Sequence, residues 1–347
     1  MENKKIRLGM IGAGGFAGTH LSQLKQVEIA EVVAIADIIP EHVEEKAKEF
    51  NIPDTYLDYN ELLKRDDIDA VVLPLPDQVH CEVAIAAMRA GKHVLCEKPM
   101  ALDLDECKEM VRVSKETGKQ LMVGQIGRYT PSFVKAMELI KKGTIGKIFF
   151  IESEYAHDYS AIGGAGGWRV TPEREPIIGG GCHAVDLIRM LMNENPTEVF
   201  AYANNMSLVD WPIHDCTVGI MKFPSGAIGK VMTSTGCKRK YTMRTVVQGT
   251  KGTLILDNTS PYITLNKEHF SDDECFDGLS QQTLNIQIGC AINNHNFAAE
   301  ATDFCTSLLN GTPVVADAIS GMSTAAICMG IVKSFKTGEK VVLDYNF

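Results

Sequence analysis

The first third of the chain alternates between short, almost wholly apolar runs and longer segments whose apolar residues recur every three or four positions. The apolar runs are Ile6–Ile11, Glu31–Ala36, Asp69–Leu75, His93–Cys96 and Gln120–Gly124. Each is strand-length and ends at glycine, proline or a charged residue. The segments between them read as helices. Pro40–Phe50 places Val43, Ala47 and Phe50 on one face. Cys81–Arg89 is closed by Gly91, and Leu104–Thr117 is capped by Asp103 and ended by Gly118. Near-continuous apolar strands alternating with helices specify a parallel sheet covered on both faces.

The pattern changes after about residue 124. Pro131–Lys142 is an amphipathic helix with proline at its start and Gly143 after its end. Lys147–Ala156 then opens a strand-rich region. Gly163–Gly167 with Trp168 and Arg169 reads as a flexible loop, Thr171–Ile178 as an irregular charged segment, and Cys182–Met192 as a helix. From Val199 alternating positions mark successive strands, with turns at Pro224-Ser225-Gly226 and Gly249–Gly252, so neighbours are antiparallel. Such a sheet hides one face on helices. Ile220, Ile228, Val231, Val246 and Val247 are candidates for the other face, which points to a homo-oligomer, a dimer or tetramer. Asn293–Leu309 and Met322–Lys333 are closing helices. The predicted fold is therefore α/β with two domains, residues 1–124 carrying the doubly wound parallel sheet and 125–347 an α+β domain with an open, mainly antiparallel sheet.

The turn after the first strand is Gly12-Ala13-Gly14-Gly15-Phe16-Ala17, a G-x-G-x-x-A run between strand and helix. Gly12 permits the tight turn, Gly14 lets the backbone approach a pyrophosphate, and Ala17 allows close helix–strand packing. Asp37 ends the second strand, where a carboxylate accepts from ribose hydroxyls; capping the helix that begins at Pro40 is its alternative role. The two signals in register make this a Rossmann dinucleotide-binding half. A carboxylate at 37 with no arginine or lysine at 38–40 favours NAD over NADP.

In such sheets ligands bind beyond the carboxyl ends of the strands. That edge gathers the cofactor candidates Gly12, Gly14, Gly15, Phe16, Ala17, Asp37, Leu75, Pro76, His80, Glu97, Lys98 and Gln125. Glu97-Lys98-Pro99 is the oddest member. A Glu–Lys pair closing a strand is, taken alone, most simply a surface ion pair; at the cofactor edge it becomes a candidate site. Farther on, Gly179-Gly-Gly-Cys-His183 leads into a helix that carries Asp186 on the same face as His183. His183 reads either as a capping or core histidine or as a site residue that three glycines leave room to approach.

Composition removes alternatives. The 347 residues carry a net charge of −10, which argues against nucleic acid or an anionic membrane as partner. Met1–Lys5 is polar, no apolar run of membrane length is expected, and ten scattered cysteines lack a Cys-x-x-Cys. A reduced, cytoplasmic protein is expected. His157 with Asp158, and His214 with Asp215, lack a coherent metal-ligand spacing, so no metal is expected.

With these residues in place, the chain resembles the Gfo/Idh/MocA family of glucose–fructose oxidoreductase and inositol dehydrogenase relatives. The matching motifs are Gly12-x-Gly14-x-x-Ala17, Ala36-Asp37, Pro76-x-x-x-His80, Gly91-Lys-His-Val-Leu-Cys-Glu-Lys-Pro99 and Gly179-Gly-Gly-Cys-His183-x-x-Asp186. The resemblance implies a nicotinamide cofactor, NAD, and redox chemistry on a sugar, glycoside or cyclitol hydroxyl, with Lys98 and His183 as the catalytic pair. Substrate-shell candidates are Lys98, Arg128, Tyr155, His157, Trp168, Arg169, His183 and Asp186. Many relatives carry an aspartate where this chain has Gly179. Two other functions fit the same fold: an NAD-dependent glycosidase or eliminase that oxidises its substrate transiently, and a non-catalytic NAD-binding regulator.

Overall fold

A computed structural model of the chain describes residues 4–161, 167–268 and 283–346. Residues 163–166 of the expected glycine-rich loop, the first three residues and Cys275 lie outside the described residues. The chain divides into two compact units, Met1–Ile126 with Asn296–Ala325, and Gly127–His295 with Ala326–Asn346. A single passage from one domain to the next at residue 124 was the expectation. The first break lies two residues later, and 296–325 belongs to the first unit. Hydrogen bonds hold this returning segment there: Val123 N–H donates to the Ala316 carbonyl at 2.8 Å, and the Gln120 side chain donates to the Thr312 carbonyl and accepts from Val314 N–H, both at 2.9 Å. Helix periodicity marks which face of a segment is apolar, not which sheet it covers.

Unit one is built from β1 (Ile6–Ile11), α1 (Gly15–Leu24), β2 (Ala30–Ala36), α2 (Pro40–Phe50), β3 (Asp54–Tyr56), α3 (Tyr59–Leu63), β4 (Ala70–Leu73), α4 (His80–Arg89), β5 (His93–Cys96), α5 (Leu104–Thr117) and β6 (Leu121–Val123). The six strands are parallel in the order β3-β2-β1-β4-β5-β6. Strand order reverses between β1 and β4, the point at which an open parallel sheet leaves a crevice at its carboxyl edge. Both faces of the sheet are covered: Met10, Ile35, Leu73 and Val94 are fully buried. Asp103 caps α5 as expected, its Oδ1 accepting from Asp105 N–H at 2.7 Å.

Unit two holds α6 (Pro131–Lys141), β7 (Ile148–Ala156), α7 (Pro176–Gly179), α8 (Cys182–Met192), β8 (Glu198–Asn204), β9 (Cys216–Lys222), β10 (Ile228–Ser234), β11 (Arg244–Gly249), β12 (Gly252–Asp257), β13 (Tyr262–Glu268) and β14 (Thr283–Gly289). The chain then enters α9 (Phe297–Asn310) of unit one and α10 (Ala318–Thr337), whose residues are shared between the units, before β15 (Val341–Val342). The nine-stranded sheet runs β14-β13-β12-β11-β7-β10-β9-β8-β15. All its pairs are antiparallel except β7 with β10. Helix α8 packs on β7 and β10, and α6 on β12 and β13.

The face away from α8 exposes Tyr202, Ile220 and Ile228. Val231, Val246 and Val247 were also expected there; Val246 does lie on that face, opposite Glu152, but is buried, and Val231 and Val247 are buried on the other face. On β10 the reason is the strand's period of two: Ile228 points outward, so Val231, three residues on, points inward. The expectation that no segment reaches membrane length also needs correction. Helix α10 is long and apolar enough to cross a bilayer, but 67% of its apolar window is buried inside the protein.

Candidate active site

At the carboxyl edge of the parallel sheet, Gly12 has φ +107°, and a Cβ there would lie 3.1 Å from the Pro74 carbonyl oxygen. Only glycine combines that backbone with that approach. Gly14 and Gly15 face open space. Gly14 is the N-cap of α1 and supplies no side-chain cap, so the first-turn amides are left for a ligand. Asp37 grips this turn. Its Oδ2 accepts from Ala13 N–H at 2.6 Å and its Oδ1 from Ile39 N–H at 2.9 Å. It does not cap α2, whose N-cap is Ile39. Phe16 is exposed at the rim of the turn.

The turn after β5 is held on several sides. Glu97 N–H donates to the Leu73 carbonyl at 3.3 Å. The Glu97 carboxylate accepts from Lys98 N–H at 3.1 Å and pairs with His20 Nε2 at 3.0 Å. Burial pushes the Glu97 carboxyl up, but the His20 hydrogen bond and the His20 and Lys98 charges outweigh it and hold the group at about 2. Lys98 is half-buried. His80 is fully buried, with Nδ1 2.8 Å from the Pro99 carbonyl and Nε2 3.1 Å from the Leu75 carbonyl. It thus lies behind the cofactor edge rather than on it. Gln125, just past β6, is buried with its Oε1 lacking a partner among the described residues.

In unit two the three glycines before His183 are required by space, not by backbone angle. A Cβ on Gly179 would lie 2.3 Å from the Arg174 guanidinium, one on Gly180 2.6 Å from the Tyr155 ring, and one on Gly181 2.1 Å from Thr233 Oγ1. The position at which relatives were expected to carry an aspartate is therefore packed by a buried cation. Arg174 lies over the Trp168 ring at 5.1 Å, with Arg169 over the same ring at 4.4 Å. The segment before α7 is fastened by Glu175, which is buried and takes His214 Nδ1 at 2.9 Å.

His183 is buried within an aromatic group. Tyr155 stacks against it at 6.2 Å, and Tyr241 meets Tyr155 edge-on at 5.6 Å. His157 packs against Tyr241 at 5.2 Å, and His295 stacks on Tyr241 at 5.2 Å. Burial, with Tyr159 and Tyr241 adjacent, drives the Tyr155 phenol well above its ordinary range, so it remains a hydroxyl donor. Arg128 and Asp186 do meet, but as a buried bidentate pair: Nε to Oδ2 at 2.8 Å and Nη2 to Oδ1 at 2.7 Å, with Arg189 at 3.4 Å from Oδ1. Asp186 on α8 is thus committed to two arginines. His214 is committed to Glu175, while Asp215 accepts from the Met206 and Leu208 amides at 3.0 and 2.7 Å. No group of three potential metal ligands occurs among the described residues.

Sequence reading passed over His20, Arg174, Tyr241 and His295. His20 falls on the inward stripe of α1 with Leu21 and Leu24, a pattern that a packing residue and a site residue share. Arg174 lies five residues from the glycine it fills, across a turn with no periodicity to reveal it.

Residues 6–125 match the family model for an oxidoreductase with an NAD-binding Rossmann fold, and residues 133–255 match the GFO/IDH/MocA C-terminal domain. The myo-inositol 2-dehydrogenase of Thermotoga maritima is 31% identical over 264 residues, 73% of this chain and 75% of its own length. This chain belongs to the GFO/IDH/MocA family. The inositol 2-dehydrogenase of Salmonella typhimurium aligns over 98% of the chain and 97% of its own length at 25% identity. Among solved structures, a levoglucosan dehydrogenase in complex with NADH and L-sorbose shares the fold, with TM-score 0.88 and 23% identity over 98% of this chain and 99% of that one.

As a GFO/IDH/MocA protein the chain is an NAD-binding oxidoreductase. Its unit-one edge fits that cofactor: an uncapped helix start behind two open glycines suits the pyrophosphate, Asp37 the ribose, and the buried Gln125 amide a carboxamide.

Proposed function

We propose that this enzyme oxidises a secondary hydroxyl of a sugar, glycoside or cyclitol, with Lys98 and His183 handling the hydroxyl proton. Bound NAD supplies the hydride acceptor. His183 takes the proton, and Lys98 donates to the same oxygen and favours the developing alkoxide; in the reverse direction the two act as donors to the carbonyl. The observation that carries this reading is the setting of Lys98, half-buried on the turn that follows β5 at the cofactor edge, beside a carboxylate held ionised. A bare surface ion pair needs no such support.

Tyr155, His157, Trp168 and Arg169 remain the substrate-shell residues. An aromatic floor with hydroxyl and imidazole groups suits a polyhydroxylated ring, whose C–H faces stack while its hydroxyls hydrogen-bond. Arg128 and Asp186 are read as the clamp that fixes α8, and through it His183, because both charges are already satisfied. The named relatives act on inositol, which supports a cyclitol or sugar; a keto-glycoside product fits the same chemistry. The apolar outer face of β8–β10 supports self-association, and the nine free thiols among the described residues support a reducing, cytoplasmic setting.

The test is Lys98→Ala and His183→Ala. Each is expected to lower turnover about a hundredfold or more while NAD still binds, measured by calorimetry. Wild-type turnover in either variant rejects that residue's role.

A further inference from the structure

We propose that two buried histidines brace Lys98: His20 through the Glu97 side chain, and His80 through the Pro99 carbonyl. The proposal rests on the reading of Lys98 as a proton-handling group. Both histidines are positioning residues, reaching the chemistry only through the turn that carries Lys98.

The brace has two arms within unit one. On one side, His20 projects from α1, is 3% exposed, and lies flat on Phe297 of α9, with ring centroids 3.9 Å apart and planes within 4°. Phe16 also meets the His20 ring edge-on at 5.6 Å. Rings packed this way leave the imidazole little freedom, so Nε2 is aimed at Glu97 Oε1 at 3.0 Å. The other oxygen of that carboxylate accepts from Lys98 N–H. One side chain thus couples a helix to the backbone of residue 98.

On the other side, His80 opens α4 and is wholly buried. Its two ring nitrogens face two carbonyl oxygens, those of Leu75 after β4 and Pro99 after β5. Carbonyls only accept, so the ring N–H donates to one of them, and the tautomer decides which. The imidazole therefore ties together the loops that follow two adjacent strands. Lys98 lies between the two attachment points, Glu97 and Pro99. A catalytic amine on a long flexible stem gains from such anchoring, since a displacement of about 1 Å at a reacting group costs roughly a hundredfold in rate.

The experiment measures kcat, KM and NAD affinity for His20→Leu, His80→Leu, His20→Gln and His80→Gln, in wild-type and Lys98→Ala backgrounds. Each leucine variant is expected to lower kcat about tenfold or more, in line with losses of supporting hydrogen bonds around reactive groups, with NAD affinity unchanged. The glutamine variants, which keep a donor, recover part of the loss. In the Lys98→Ala background the same replacements leave the residual rate unchanged, because the group they position is gone. Losses that multiply in that background, or that follow NAD affinity alone, overturn the brace while leaving Lys98's own role intact. Wild-type turnover in Lys98→Ala itself overturns the underlying reading, and the brace with it. If a leucine variant does not fold, Glu97→Gln, which keeps the shape but removes the carboxylate, and His80→Asn, too short to span both carbonyls, carry the same predictions.

Discussion

Gly179→Ala is a one-carbon change whose cost is set by a neighbour. The added Cβ would lie 2.3 Å from one Arg174 nitrogen, 2.4 Å from its Cζ and 2.8 Å from the other nitrogen. All three are far inside ordinary contact, so the guanidinium must move. It is 4% exposed, lies over Trp168, and donates to the carbonyls of Arg169 and Gly179 at 3.4 Å. Moving it costs about 1–3 kcal/mol, as overpacking a filled site does. Gly179 is the last residue of α7 and has no positive φ, so without Arg174 the alanine is neutral or gains up to about 1 kcal/mol from the stiffer backbone. The coupling between the two sites is then about 2 kcal/mol, equivalent to roughly 4–8 °C in Tm for a domain of this size. Thermal unfolding of wild type, Gly179→Ala, Arg174→Ala and the double variant measures it. A Gly179→Ala protein as stable as wild type, or a penalty that persists in the Arg174→Ala background, refutes the packing argument. An aspartate at 179 meets the same obstacle, so an acid at that position requires the Arg174 guanidinium to move.

Three further outcomes follow from the same geometry. Glu97 is held at about 2 against an ordinary 4.5, so its contribution, about 3 kcal/mol, is complete above about pH 4.5 and is lost as pH falls toward 2; urea unfolding across that range should show a steeper acid loss in wild type than in Glu97→Gln. Asp186→Ala takes the shared carboxylate from Arg128 and Arg189, whose side chains are 12% and 10% exposed, and should cost about 3–5 kcal/mol in denaturant unfolding, whereas a substrate-binding role alone would raise KM and leave stability intact. Ile220→Lys with Ile228→Lys, both outward on the open sheet face, should abolish the self-association proposed for that face, read by light scattering, while leaving the circular dichroism spectrum unchanged.

The parts of the site legible in the sequence are those in which chemistry and chain neighbourhood coincide. Gly12, Gly14 and Ala17 are spaced along one turn, Asp37 ends the next strand, and Glu97-Lys98-Pro99 closes an apolar run, so strand–helix alternation was enough to bring them to one edge. The sheet of unit two was legible for a related reason, since period-two alternation survives even where pairing partners are far apart. What stayed hidden is settled by packing between distant segments. His20 and Leu21 look alike in a helical stripe, and only the approach of the turn after β5 to α1 gives the histidine its carboxylate. Asp186 sits on one face of α8 with His183, as its spacing requires, but Arg128, 58 residues earlier, decides what it does. Gly179 read as a missing acid because a glycine records nothing of the side chain that fills its space. The return of 296–325 to unit one was hidden because terminal helices carry no mark of the sheet they cover.

The most direct test of the account is a panel of cyclitols, sugars and glycosides incubated with the enzyme and NAD, following NADH absorbance and substrate loss together. Formation of one NADH for each hydroxyl oxidised to a ketone, slowed about a hundredfold or more in Lys98→Ala, is the predicted result. Substrate consumed without NADH accumulating, or NAD bound with no substrate turned over by the wild-type enzyme, would contradict it.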